Sequence, residues 1–315
     1  MRFTIGIPAF KAAYFKECIE SVLTQDFLDF ELIIINDNSP DLLEEIVNSF
    51  SDNRIKYYKN THNIGAENVV NNWNKCLEIA SGEFFILLGD DDKMEPDYLY
   101  QFDLLIKKYP ELDVYHCRSN IINGQSDLLE LTPSWPELES VYDNIWHRIS
   151  GYRIQYISDF VYRSETLKNN GNFYFLPLAW GSDDITSYQQ MANKGIAHTN
   201  KCLLNYRNSP ITISNSGNIE LKLLAIQKEM EWFQNFINLA EPIGVDKTIF
   251  ESVKKILPLY FTKKIKYTIA LAYKKNFSEA LILVSNQIKN KRMTYKQGLA
   301  SITMALQHNL KTLLK

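Results

Sequence analysis

Two hydrophobic periods take turns along the first 115 positions. Phe3 to Ile7 is a short apolar run of strand type, and Tyr14, Cys18, Ile19, Val22 and Leu23 then recur at the spacing of one helix face. Leu32-Ile33-Ile34-Ile35, inside Glu31 to Asn36, is continuously apolar and predicts a strand covered on both sides. A helix opening at Pro40-Asp41 and running through Phe50 follows, then a strand over Arg54 to Tyr58, a helix over Ala66 to Ala80, a strand over Phe84 to Leu88, a helix over Pro96 to Tyr109 and a strand over Val114 to Cys117. This alternation predicts an α/β fold with a doubly wound, mostly parallel sheet flanked by helices, its ligand at the carboxyl ends of the strands. Three polar clusters fall at those ends: Pro8 to Lys11, Asn36 to Ser39 and Gly89 to Asp92.

Beyond Cys117 the pattern loosens. Asn123-Gly124 signals a hairpin turn, and helices are expected over Glu137 to Ile149 and Asp184 to Lys194, the second closed by Gly195. Strands are expected over Ile154 to Tyr162 and Ile196 to Tyr206. From Ile219 onward only helices are expected, over Glu220 to Leu239, Phe250 to Tyr273, Phe277 to Ile288 and Tyr295 to Leu314.

Charge divides the chain as well. Its net charge of −3 conceals 14 Lys+Arg against two acids over residues 247–315, while the preceding 246 residues net −15. Such asymmetry suggests one part for chemistry and another for an anionic surface. Lysines at 254, 255, 263, 264, 266, 274 and 275 are interleaved with large apolar residues, which suits either a helix lying on an anionic bilayer or a helical cap with solvated lysines. No nucleic-acid reader motif accompanies them. The sequence opens on a strand rather than a charged and apolar leader, and no apolar run reaches a membrane span, so a cytoplasmic protein is expected, peripheral at most on the inner face of the cell membrane. Cys18, Cys76, Cys117 and Cys202 have no paired spacing and suit buried thiols; the five histidines have no ligand spacing.

The acids Asp90-Asp91-Asp92 are the densest candidate chemistry. Stacked acids behind a buried strand suit a divalent metal with the phosphates it clamps, or a solvated turn with Asp92 as helix cap and Pro96 in the first turn. Asp37 suits an Asx turn or cap as well as a ligand contact, and Ser182 or Asp183 suits a helix cap as well as an acid-base role.

In order, Ile7-Pro8-Ala9-Phe10, Cys18 to Gln25, Phe30 to Ser39, Asn63-Ile64-Gly65, Asn72-Trp73-Asn74, Ala80 to Glu83 and Gly89 to Asp92 resemble glycosyltransferase family 2. The resemblance is dense over residues 1–100 and thins towards 216. It implies a GT-A domain over 1–216, with a nucleotide-binding half at 1–115 and an acceptor half at 116–216, followed by a basic helical region over 217–315. It also implies inverting transfer of a sugar from a nucleotide-diphosphate donor, UDP-sugar in preference, to a saccharide or lipid-linked saccharide in surface polysaccharide synthesis. Pro8, Ala9, Phe10, Asp37, Asp90 and Arg207 are then expected on the nucleotide, with Phe10 against the base and Asp37 on its N3–H. Asp91, with Asp90 and Asp92, is expected on Mg²⁺ or Mn²⁺, and Asp184, or Asp183 beside it, as the base that deprotonates the acceptor. Trp73 and Asn74 are expected near the donor pocket wall. Asn36 and Gly89 stand where many relatives carry an acid, and Asn208-Ser209 where many carry a histidine. A nucleotide-sugar-binding protein without catalysis is the alternative; a nucleotide-dependent oxidoreductase is disfavoured, because no glycine-rich fingerprint follows the first strand.

Overall fold

A computed structural model describes residues 1–208, 218–239, 242–289 and 293–303. The chain divides into two compact units, Met1–Ser216 and Gly217–Lys315.

In the first unit β1 (Phe3–Ala9), β2 (Phe30–Asn36), β3 (Ile55–Lys59) and β4 (Phe84–Leu87) lie parallel in the order β3-β2-β1-β4. β1, β2 and β4 are almost wholly buried, which is why their sequences are continuous apolar runs rather than alternating ones. The sheet continues through β9 (Phe160–Arg163), antiparallel to both its neighbours, to β6 (Val114–Ile122) and β10 (Ile196–Arg207), which pair in parallel. The mostly parallel, helix-flanked sheet expected from the alternation is present. Helices α1 (Phe15–Leu23), α3 (Val69–Glu78) and α4 (Tyr98–Lys108) bury one apolar stripe each. At Gly6 an added Cβ would come within 2.7 Å of the Cys76 Cβ, so glycine there lets α3 lie close on β1.

Several elements differ from their expected bounds. The strand expected over 154–162 is a strap with a 3₁₀ turn at Ile157–Asp159, and only 160–163 joins the sheet. Its backbone turns because the Tyr156 N–H donates to the Asp159 carboxylate at 2.7 Å. The helix expected from Pro40 is shorter, Leu43–Asn48, and the one expected over 137–149 runs Val141–Ser150, because Ser140 caps it at Asp143 N and Glu139 belongs to a two-residue strand. β6 and β7 (Leu128–Leu131) form the hairpin signalled at Asn123-Gly124.

The second unit consists of helices at Ile219–Ile237, Val245–Lys275 and Phe277–Lys289, with residues 295–303 also helical. The last expected helix extends past the described residues, since 304–315 lie outside them. Ile269, Tyr273, Leu283, Val284 and Met293 form part of its apolar core. Inside it, Glu229 accepts from Lys264 Nζ at 2.6 Å and from the Tyr260 hydroxyl at 3.1 Å. No described helix is long and apolar enough to cross a membrane.

Candidate active site

The ends of β1, β2 and β4 bring the three polar clusters together. Asp90 Oδ2 accepts the Phe10 and Lys11 backbone N–H groups, each at 2.8 Å, so the loop after β4 is tied to the loop after β1. The Lys11 ammonium lies 3.0 Å from Asp91 Oδ2 and 3.8 Å from Asp90 Oδ1. Asp92 turns the other way. Its carboxylate accepts from the Ser158 hydroxyl at 2.9 Å and from Arg207 N at 3.0 Å. Burial pushes Asp90 and, more strongly, Asp92 above the usual carboxylate range, with the neighbouring Asp91 charge adding to it. Burial alone would lower Lys11, but the Asp90 and Asp91 charges outweigh it and hold the ammonium above its usual value.

Asp92 is therefore not a helix cap. α4 starts six residues later with Asp97 at its N-cap position, and Lys93–Met94 pair as a short strand with β10. Gly89 has a local reason as well. A Cβ there would meet Asp92 Oδ2 at 2.9 Å, so an acid at 89 and one at 92 compete for the same space.

Asp37 is buried, and its Oδ1 accepts from Asn60 Nδ2 at 2.8 Å and Ile64 N at 3.1 Å. The turn role falls to its neighbour. Asn36 Oδ1 accepts from Ser39 N at 2.8 Å, closing the Asx turn and leaving Asp37 to face the loop after β3. Phe10 is 40% exposed at this edge, while Ala9 is buried and Pro8 half-buried. Trp73 packs edge-on to Phe173 in the interior, and Asn74 exchanges two hydrogen bonds with the Phe173 backbone, so these two secure α3 to residues 172–174.

Arg207, expected on the diphosphate, is fully buried beneath the acidic loop. Its guanidinium donates to Asp91 O at 2.9 Å, Asn123 O at 3.0 Å, Ser126 Oγ at 3.1 Å and Glu17 at 3.1 Å, and covers the Tyr14 ring at 4.1 Å. One side chain thus fixes the backbone of the acidic loop to α1 and to the β6–β7 turn. Asn208 is exposed beside it; Ser209 lies outside the described residues.

Away from these loops, helix α7 (Ser182–Met191) places Asp183 and Asp184 in its first turn. Neither Ser182 nor Asp183 is the cap. Gly181 occupies that position at φ 103°, and Ser182 Oγ accepts from Leu176 N instead. Asp184 is buried, and its Oδ1 accepts from Arg148 Nε at 2.9 Å and Gln155 Nε2 at 2.7 Å. Asp183 is half-buried.

The strap between Gln155 and Asp159 is the piece that sequence reasoning missed. Gln155 holds Asp184, Ser158 holds Asp92, and between them the Tyr156 ring stacks on Tyr206 at 3.5 Å. Asp159 anchors the strap inward by accepting from the Ser119 hydroxyl, beside a buried His116–His198 pair that Glu139 and Arg153 complete. Donor atoms of Glu139, Asp143 and His147 also lie within 4.8 Å of one another, but Glu139 already accepts from Arg153 and Asn144.

Residues suited to a divalent cation are Asp91 and the free side of Asp90. Their carboxylate oxygens are hard donors of the kind Mg²⁺ and Mn²⁺ take, and a cation, the Lys11 ammonium, already balances them. The donor set fits such an ion.

A sheet of this topology with acids at its carboxyl edge is a GT-A glycosyltransferase fold. The structure of Staphylococcus aureus TarS 1–349 in complex with UDP-GlcNAc superposes with a TM-score of 0.61 at 19% identity, over 86% of this chain and 81% of that one. The mannosyltransferase PcManGT of Pyrobaculum calidifontis, in complex with GDP-Man and Mn²⁺, gives 0.55 at 16% identity, over 97% and 87%. Residues 4–158 match the model of glycosyl transferase family 2, so this part of the chain is a domain of that family. Among curated relatives, the GalNAc(5)-diNAcBac-PP-undecaprenol β-1,3-glucosyltransferase of Campylobacter jejuni is 35% identical over 96 residues, 30% of either chain. The putative glycosyltransferase EpsH of Bacillus subtilis is 36% identical over 91 residues, 28% of this chain and 25% of that one. The chain spans about a third or less of the length of these relatives.

Proposed function

We propose that the protein is a metal-dependent, inverting glycosyltransferase that moves a sugar from a UDP-sugar to a saccharide or lipid-linked saccharide in surface polysaccharide synthesis. The observation that carries this reading is the meeting of Asp37, Asp90 and Asp91 at one sheet edge, with the strap 155–158 joining that edge to Asp184. Asp37 and Phe10 would take the base, and Asp91 with Asp90 would hold Mg²⁺ or Mn²⁺. When bound, the ion supplies Lewis-acid stabilisation of the departing diphosphate. Asp184, with Asp183 as the neighbouring candidate, would accept the acceptor's hydroxyl proton on the face opposite the leaving group. The UDP-GlcNAc complex of TarS favours a uridine donor, and the C. jejuni relative's undecaprenol-linked substrate favours a lipid-linked acceptor. At a hundredfold excess of ligand over Kd, UDP with Mn²⁺ should raise Tm by roughly 5 to 10 °C, while NAD leaves it unchanged. Stabilisation by NAD and not by UDP with Mn²⁺ would reject the reading; UDP binding without donor hydrolysis or transfer would reduce it to a binding protein.

The C-terminal unit fits attachment to an anionic membrane on the cytoplasmic side. Lys255, Leu259, Lys263 and Tyr267 recur every fourth residue along the helix Val245–Lys275, and all four are exposed, Leu259 by 55% and Tyr267 by 50%. Lys264 is not part of this face, since it is held by Glu229. Each outward lysine contributes about 1 kcal/mol near an anionic surface, so Lys255→Gln with Lys263→Gln should weaken binding to anionic liposomes about thirtyfold. Flotation that is indifferent to lipid charge would leave the unit as a structural cap.

A further inference from the structure

The acidic loop already holds a cation. Lys11 Nζ lies between Asp91 Oδ2 at 3.0 Å and Asp90 Oδ1 at 3.8 Å, the same two carboxylates that suit the divalent ion. Asp90 Oδ2 is held by two backbone N–H groups, and the Asp92 carboxylate by Ser158 and Arg207 N. Arg207 is locked in place by four hydrogen bonds and full burial, but the Lys11 side chain is 24% exposed and attached by a flexible stem.

Resting on the metal reading above, we propose that the Lys11 ammonium occupies the cation position of the Asp90–Asp91 site in the free protein, and that a divalent ion binds by displacing it towards the nucleotide's diphosphate. Two cations cannot share one pair of carboxylates without strong repulsion, so the ion alone must break the Lys11–Asp91 pair with no new anion for the lysine. A diphosphate supplies that anion. The Lys11 backbone N–H stays fixed on Asp90, so the pivot of the side chain does not move. Lys11 therefore makes metal and nucleotide binding mutually reinforcing, and by linkage each ligand strengthens the other by the same factor.

Free Mn²⁺ measured by electron paramagnetic resonance, with and without UDP, tests this on the full chain. Wild type should bind Mn²⁺ weakly alone and about tenfold or more tightly with UDP. Lys11→Met should bind Mn²⁺ alone about tenfold more tightly than wild type and lose most of the enhancement by UDP, while Lys11→Arg keeps the wild-type pattern. Lys11→Gln serves if the methionine variant does not fold, as monitored by Tm. Unchanged Mn²⁺ affinity and unchanged UDP coupling in the uncharged variant overturn the Lys11 proposal and leave the metal reading standing. No Mn²⁺ binding by wild type or variant, with or without UDP, overturns both.

Discussion

Asp91→Asn is expected to lower sugar transfer about a thousandfold, equivalent to about 4 kcal/mol of transition-state stabilisation, and to abolish the dependence of UDP binding on Mn²⁺. The substitution keeps the shape of the side chain and removes its charge. Asp91 has the right surroundings for so large an effect: it is the least buried of the three acids, at 14% side-chain exposure, and its carboxylate contacts the partly exposed Lys11 side chain. Its main chain is fixed independently, because Arg207 binds its carbonyl oxygen. The variant should therefore fold with a Tm close to wild type. UDP contact through Asp37 and Phe10 should persist without metal, so calorimetry separates loss of the ion from loss of the nucleotide pocket. Asp92→Asn is the informative contrast, since its carboxylate is engaged by Ser158 and Arg207 N; its cost should appear in Tm. Near-wild-type transfer by Asp91→Asn, with full Mn²⁺ dependence, would remove the metal from this loop.

The parts of the fold that carry a strong period were legible. β1, β2 and β4 are mostly apolar because both faces are covered, and α1 and α3 each bury a single stripe. What escaped depends on partners far apart in sequence. The pairing of Ser158 with Asp92 spans 66 positions and that of Arg207 with Glu17 spans 190, and neither leaves a local pattern. Ile154 to Tyr162 reads as a strand, but the Asp159 carboxylate captures the Tyr156 N–H and turns the chain. Glu31 shows the same limit. In an otherwise apolar strand it is buried and accepts from Thr4, Lys56 and Ser81, which hold it down to about 2 against the cost of burial. Lys11 was visible as a residue at the sheet edge, yet its contact with Asp91 across 80 positions could be seen only in three dimensions.

For the other acidic site, Asp184→Asn should keep UDP and Mn²⁺ binding and reduce kcat by about 10³-fold or more, whereas Asp183→Asn should cost less than about tenfold. The two residues are adjacent on one helix turn but differ in burial, Asp183 being half-buried and Asp184 buried. Asp184 is 3% exposed and oriented by Arg148 and Gln155, both on Oδ1, so that Oδ2 would be the atom to meet an acceptor hydroxyl on the proposed reading. An asparagine preserves that Oδ1 contact, so the fold and the strap that leads to Asp92 should remain in place. A carboxylate fixed by two donors loses little freedom when it takes a proton, which is the property a positioned base needs. Gln155 extends the test. Gln155→Leu leaves the Asp184 side chain in place but releases one of its two anchors, and should lower kcat with little change in the KM for donor. If Asp183→Asn instead abolishes turnover while Asp184→Asn retains it, the base moves by one residue. The Arg148–Asp184 pair then becomes a structural support of the acceptor wall.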